Sequence, residues 1–263
     1  MEGNSGHGNH GTSHEAPQGH SPGEHTIPGG LALDANGLRF DPSETRFEAG
    51  TAIEWTFSIV NNDGEPVTDF DYAHGQRSHL IIVRRDLTRF QHLHPKLDSD
   101  GTWHVENFPL PDPGVYRAFV DIVVDGQPAT LGFDLFASGS GTIDARPSSS
   151  LQATADGYEV ELITDGTTPG EASQLQFEVC QDEAPVANLD EYLGARGHLV
   201  AIREGDLAYL HVHPKETDPD SGVIQFIARF PTVGRYRLFL QAKPNGTLIT
   251  TSFDIHLENK TTP

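Results

Sequence analysis

Six histidines in this chain fall into two copies of one spacing. His79, His92 and His94 obey His-x12-His-x-His-Pro-Lys, and His198, His211 and His213 obey it again. Imidazole is a neutral nitrogen ligand that suits zinc, copper, nickel and iron, so three of them at a repeated spacing point to a metal site. Burying three imidazoles without a metal would demand partners for six ring nitrogens, a costly arrangement for packing alone. Duplication also copies structural residues faithfully, so a purely structural role for the histidines stays open as the alternative.

The elements that would position the trio can be read nearby. His79–Val83 has the apolar, β-branched content of a buried strand, and Phe90–His94 alternates as a second strand would. Arg84, Arg85, Asp86 and Leu87 lie between them, and the matching turn of the second copy holds Gly205-Asp206, a good hairpin tip. Antiparallel pairing about Asp86 sets His79 opposite His92 or His94, with Cβ atoms about 4.5–5.5 Å apart. The period of two puts His92 and His94 on one face. Pro95 and Pro214 are expected to end their strands.

The duplication extends well beyond the histidines. Arg77–Arg84 matches Arg196–Arg203, Gly114-Val-Tyr-Arg-Ala-Phe119 matches Gly234-Arg-Tyr-Arg-Leu-Phe239, and Asn36-Gly37 and Asp156-Gly157 open the two copies. Turn dipeptides such as Asp63-Gly64, Asp100-Gly101 and Asp125-Gly126 break short alternating runs, and no long amphipathic helical pattern is present. The fold class expected is all-β: two tandem Ig-like antiparallel β-sandwich domains preceded by a disordered His-rich tail. The boundaries expected are a tail at 1–28, domains at 29–137 and 151–258, a Gly/Ser-rich linker at 138–150, and a C-terminal tail at 259–263. Tyr116 and Tyr236, each two residues after a glycine, read as structural corner tyrosines.

Auxiliary ligands are expected among several further residues. His74 and His104 occur only in the first copy, and lone surface histidines are the simpler reading of both. Asp71 and Asp190 sit at matching positions before the first histidine strand, where they could orient an imidazole or be ordinary loop acids. His7, His10, His14, His20 and His25, spaced by small and polar residues, could wrap a borderline cation.

Composition narrows the function classes. A formal charge of −21 with no basic track argues against nucleic acid as a partner. One cysteine, Cys180, precludes an intramolecular disulfide and any Cys-based cluster. With no cysteine near the trio and Met1 as the sole methionine, blue copper is excluded, and Cu(II) or Zn(II) fits best. No apolar run approaches the roughly 20 residues of a membrane-spanning helix. No secretory signal is visible after Met1, which is expected either of a cytoplasmic protein or of one whose leader or anchor has been removed; a His-rich tail followed by Ig-sized modules favours the second, an extracytoplasmic design.

The segments Ser78-His-Leu-Ile-Ile-Val83, Asp86-Leu87, Phe90-Gln-His-Leu-His-Pro95 and Pro113-Gly-Val-Tyr-Arg-Ala-Phe119 resemble a group of bacterial secreted or membrane-anchored proteins. These share His-Leu-x-Val-x-x-x-Asp-Leu, then Phe-x-His-x-His-Pro and a Pro-Gly-x-Tyr-Arg strand. The resemblance covers the second half of each copy. It implies Ig-type modules with a part in heavy-metal handling, and it is this resemblance that favours copper over zinc. The second copy departs from the pattern at Tyr209 and at Thr232-Val233, neither of which touches a histidine. The reading that follows is a non-catalytic binder of metal ions, acting in sequestration, delivery or resistance, with a metal transporter or another metal-handling protein as partner. Its competitors are a three-histidine zinc hydrolase or hydratase and a structural or adhesive tandem module without metal.

Overall fold

In a computed structural model the described residues are 28–142, 149–215 and 221–258. The tail with its five histidines lies outside them, as do the side chains of His211 and His213. No α-helix occurs among the described residues, and none is long and apolar enough to cross a membrane. The first repeat contributes β1 (Asp34–Ala35), β2 (Leu38–Pro42), β3 (Arg46–Glu48), β4 (Ala52–Val60), β5 (Ser78–Arg84), β6 (Gln91–Leu93), β7 (Lys96–Leu97), β8 (Thr102–Pro109), β9 (Gly114–Val124) and β10 (Gln127–Ser138). The second contributes β11 (Gln152–Ala155), β12 (Tyr158–Ile163), β13 (Ala172–Gln181), β14 (Ala184–Pro185), β15 (Leu189–Asp190), β16 (Gly197–Arg203), β17 (Tyr209–Lys215), β18 (Val223–Arg229), β19 (Gly234–Pro244) and β20 (Ile249–Leu257).

The first domain packs sheet β1-β2-β4-β8-β7 on sheet β3-β10-β9-β5-β6. Alternation in β4 sends Ile53, Trp55, Phe57 and Ile59 inward, where they meet Leu80 and Ile82 of β5 and Val120 of β9. The second domain repeats the layers, with Leu175, Phe177 and Val179 of β13 against Leu199, Ala201 and Leu238. Tyr116 donates its hydroxyl to Asp112 O at 2.9 Å, and Tyr236 to Thr232 O at 3.1 Å, so both tyrosines are the structural corners expected.

The His-Pro segment is where the chain changes sheets. β6 pairs with β5, and after a gap containing His94 and Pro95, β7 pairs with β8 in the opposite sheet. In the second copy β17 makes the same crossing without a break, its first residues on β16 and its last on β18. Pro95 therefore marks a crossover, whereas Pro214 stays in the ladder opposite Phe226.

The two domains meet through β5 and β16. Ile81, Val83, Leu87 and Phe119 pack on Val200, Ile202, Leu207, Tyr209 and Phe239 in a third apolar cluster. Its aromatic contacts are reciprocal: Phe90 stacks on Phe239 (4.2 Å between centroids, 8° between planes), and Phe119 packs on Tyr209 at 5.1 Å. Phe119 and Phe239 are repeat equivalents, as are Phe90 and Tyr209. The seam is thus isologous, like the interface of a two-fold dimer.

The alternation of β18 makes a direct test of the core. Phe226 is fully buried, while its neighbour Ile227 is 46% exposed. Phe226→Ala should cost about 3–5 kcal/mol and Ile227→Ala under about 0.5–1 kcal/mol, as measured by urea unfolding.

Candidate metal centre

β5 delivers His79 to the seam by simple parity. Leu80 and Ile82 point into the first core, so His79, Ile81 and Val83 point at the other domain. The ladder pairs Ile81 with His92 and Leu80 with Leu93, a register that continues to set His79 opposite His94. Of the two pairings expected from the sequence, the structure adopts the second, and His92 lies diagonally from His79 on the same face.

The three rings converge. Each offers a nitrogen within 4.8 Å of the others. Ring centroids are 5.2 Å apart for His79–His92 and His79–His94 and 4.7 Å for His92–His94. Three imidazoles on a tetrahedral ion at 2.0–2.1 Å would place their centroids roughly 5 Å apart.

The hydrogen bonds set the tautomers. His79 Nε2 lies 3.0 Å from Ala73 O, and a carbonyl only accepts, so Nε2 carries the proton and Nδ1 presents a lone pair. His92 Nδ1 lies 2.6 Å from Gln241 Oε1 of the second domain; with the amide so oriented, Nδ1 donates there and Nε2 presents a lone pair. Those two nitrogens face each other at 2.9 Å. Two lone pairs at that distance repel unless a cation lies between or beside them. The buried His94 Nε2 has no hydrogen-bond partner among the described residues.

A proton is poorly suited to be that cation. Burial, reinforced by His94 and His79, holds the basicity of His92 well below the usual histidine range. Burial, with His79 and His198 adding, brings His94 down to about 4.

The second copy meets this cluster across the seam. His198 donates Nε2–H to Tyr192 O at 2.6 Å, the equivalent of the His79 bond to Ala73 O. Its ring lies 6.0 Å from His92 and 6.3 Å from His79. β17 carries His211 opposite Val200, as β6 carries His92 opposite Ile81. A cavity of about 10 Å³ is lined by His79, His92, His198, Tyr209 and Pro214, among others.

The auxiliary residues separate cleanly. His74 joins the cluster: it sits at the left-handed tip of a two-residue turn with Gly75, its ring 6.2 Å from His79 and 6.0 Å from His198. His104 does not, because β8 belongs to the far sheet, where its Nε2 lies 3.1 Å from Asp98. Asp71 accepts from Gly126 N, and Asp190 from Asn188 Nδ2, so neither orients an imidazole of the trio. The acceptors are instead the carbonyls of Ala73 and Tyr192 and the side chain of Gln241. Gln241 pairs with His198 in the ladder, as Asp121 pairs with His79. A polar residue at the matching place in both strands, Asp121 and Gln241, within the apolar runs Ala118–Ile122 and Leu238–Ala242, was the signal available in the sequence.

The depressed basicity of His92 and His94 has a pH consequence for the metal-free protein. The unfolded chain takes up protons near pH 6.5 while the folded rings stay neutral, so stability falls from about pH 6.5 towards pH 4. The His94 contribution levels when that ring titrates in the folded state at about 4. Urea unfolding across this range should show that slope, reduced by His94→Asn.

Comparison with known proteins follows the same division of the chain. No curated protein matches it. Among solved structures it is similar to invasin, a bacterial integrin-binding protein (15% identity, TM-score 0.28, 86% of this chain and 40% of that one). It is also similar to InvD of Yersinia pseudotuberculosis (11%, TM-score 0.29, 88% and 61%) and to the titin Ig tandem A164-A165 (11%, TM-score 0.21, 84% and 97%). The chain thus spans less than two thirds of the length of the two bacterial structures. The family described as a domain of unknown function, DUF8832, matches at residues 33–139 and again at 153–259, and the chain belongs to that family, as two tandem copies of its domain.

Proposed function

We propose that this protein is an extracytoplasmic binder of copper or zinc, with His79, His92 and His94 as one ligand set and His198, His211 and His213 as its repeat equivalent. One observation carries the reading: two imidazole nitrogens face each other at 2.9 Å beside a third imidazole nitrogen, that of His94, which has no hydrogen-bond partner among the described residues. A tetrahedral ion with bonds of 2.0–2.1 Å would separate the facing nitrogens by roughly 3.3 Å, so a shift of a few tenths of an ångström admits it. The donors are all nitrogen, which accommodates Cu(II) and Zn(II) alike. Copper is preferred on the sequence resemblance. Sequestration or delivery to a transporter or another metal-handling protein is the activity proposed, with the tail histidines as further capture sites.

A zinc hydrolase fits the surroundings less well. An open coordination position needs room for substrate, and the cavity beside the trio, about 10 Å³, has space for little more than one water. The structural module is the serious competitor, and Gln241 shows why. Turning its amide would let Nε2–H of Gln241 donate to His92 Nδ1, and His92 Nε2–H donate to His79 Nδ1, which pairs those nitrogens without a cation. It leaves His94 Nε2 unpartnered in either case.

Titration calorimetry and elemental analysis separate the two readings. A metal-binding protein lacking residues 1–28 should take up about two equivalents of Cu(II) or Zn(II), and His92→Ala with His94→Ala should remove one. Metal at a hundred times its dissociation constant should add about 2.7 kcal/mol of stability, reversed by chelator. Uptake of none after loading at neutral pH, with an unfolding midpoint indifferent to chelator, would leave the structural module.

A further inference from the structure

We infer that the first-domain site is completed by the second domain, so that metal occupancy and closure of the two domains on each other form one equilibrium. This rests on the metal-binding reading and deepens it. A side chain that orients a ring of the trio, Gln241, is in the other domain, 2.6 Å from His92 Nδ1. Gln241 is itself held, its Nε2 donating to Thr250 Oγ1 at 3.3 Å. His198 forms part of the wall of the cavity onto which His79 and His92 open. An ion on the trio therefore has ligands from one domain, an orienting partner from the other, and an opposite wall that exists only when the seam is shut.

The first copy carries an acceptor at the equivalent position. Asp121, the equivalent of Gln241, is fixed by Thr130 Oγ1 at 3.0 Å, as Gln241 is tied to Thr250. It faces the second domain, where its charge adds to burial in pushing the Tyr209 hydroxyl well up. A carboxylate can only accept, so the role of this position in the first copy is fixed as an acceptor. Acceptors that hold the outer nitrogen of a ligating imidazole typically govern metal affinity by 10–100-fold.

Linkage gives the test. If closure and binding are coupled, loosening the seam must weaken metal binding by the same factor that metal tightens the seam. Phe239→Ala removes the stacking partner of Phe90 and touches no histidine of the trio. Calorimetric titration of the full chain with Zn(II) should show the site on His79, His92 and His94 weakened about tenfold or more by Phe239→Ala and by Gln241→Leu. Gln241→Glu, acceptor-only like Asp121, should bind at least as tightly as the parent. Circular dichroism checks that each variant is folded. Small-angle scattering of Phe239→Ala should show an extended metal-free particle that becomes compact on zinc addition. If the parent binds zinc, and both weakening variants bind it equally well with unchanged dimensions, the joint is refuted and the metal site stands. If the parent binds none, the metal reading itself fails, and the joint with it.

Discussion

β5 and β16 have no solvent face, and the arrangement of the molecule follows from that. In a single antiparallel sandwich one side of such a strand meets the core and the other meets water. Here Leu80 and Ile82 fill the first core, while Ile81 and Val83 require a second apolar surface, supplied by Val200 and Ile202 of the other domain. The contact fixes how the domains face each other. It also places His79 and His198, which share parity with the seam residues, away from bulk water. Their ring nitrogens must then be satisfied by protein, by a water in the small cavity they line, or by an ion.

The duplication, the all-β architecture and the corner tyrosines were legible in the sequence because each rests on local spacing. The convergence of His79, His92 and His94 was legible for the same reason: a hairpin and a period of two suffice to place them on one face. The seam was not. The continuous run Ser78–Arg84 was readable as a buried strand, yet nothing in its composition identifies the partner as the other copy of the same strand. Gln241 and Tyr192 were missed as imidazole acceptors because they act across the fold or through a backbone carbonyl. Asp71 and Asp190, the acids nearest in sequence, proved to hold Gly126 and Asn188 instead. His74 shows the converse: it gains neighbours only because its turn tip meets the other domain.

The copies have diverged where the seam needs them to differ in chemistry rather than shape. Phe90 and Tyr209 each stack on the phenylalanine of the opposite domain, so aromatic area is retained while a hydroxyl is added on one side only. His74 faces Leu193 in the equivalent turn, and both adopt the left-handed conformation that a turn of this kind demands. Asp121 and Gln241 differ in charge but keep the ability to accept a hydrogen bond. Changes at the histidine turn and at the acceptor make the two sides of the seam electrostatically unequal even though the backbone around them is repeated.

That inequality bears on why imidazoles persist here at all. An interface of this kind could be closed by aliphatic side chains at the trio positions with less desolvation cost, since neutral imidazoles buried side by side lose hydration and gain few bonds. In one assignment of the Gln241 amide the facing nitrogens of His79 and His92 repel, and in both His94 Nε2 has no partner among the described residues. On the proposed reading, a divalent ion would satisfy them together, because it would accept electron density from all three rings and need no proton where burial disfavours one. On that reading the stability of the seam and the occupancy of the histidines would be set by the same contacts, with the aromatic pairs defining the closed geometry and the ion relieving the polar cost of closure.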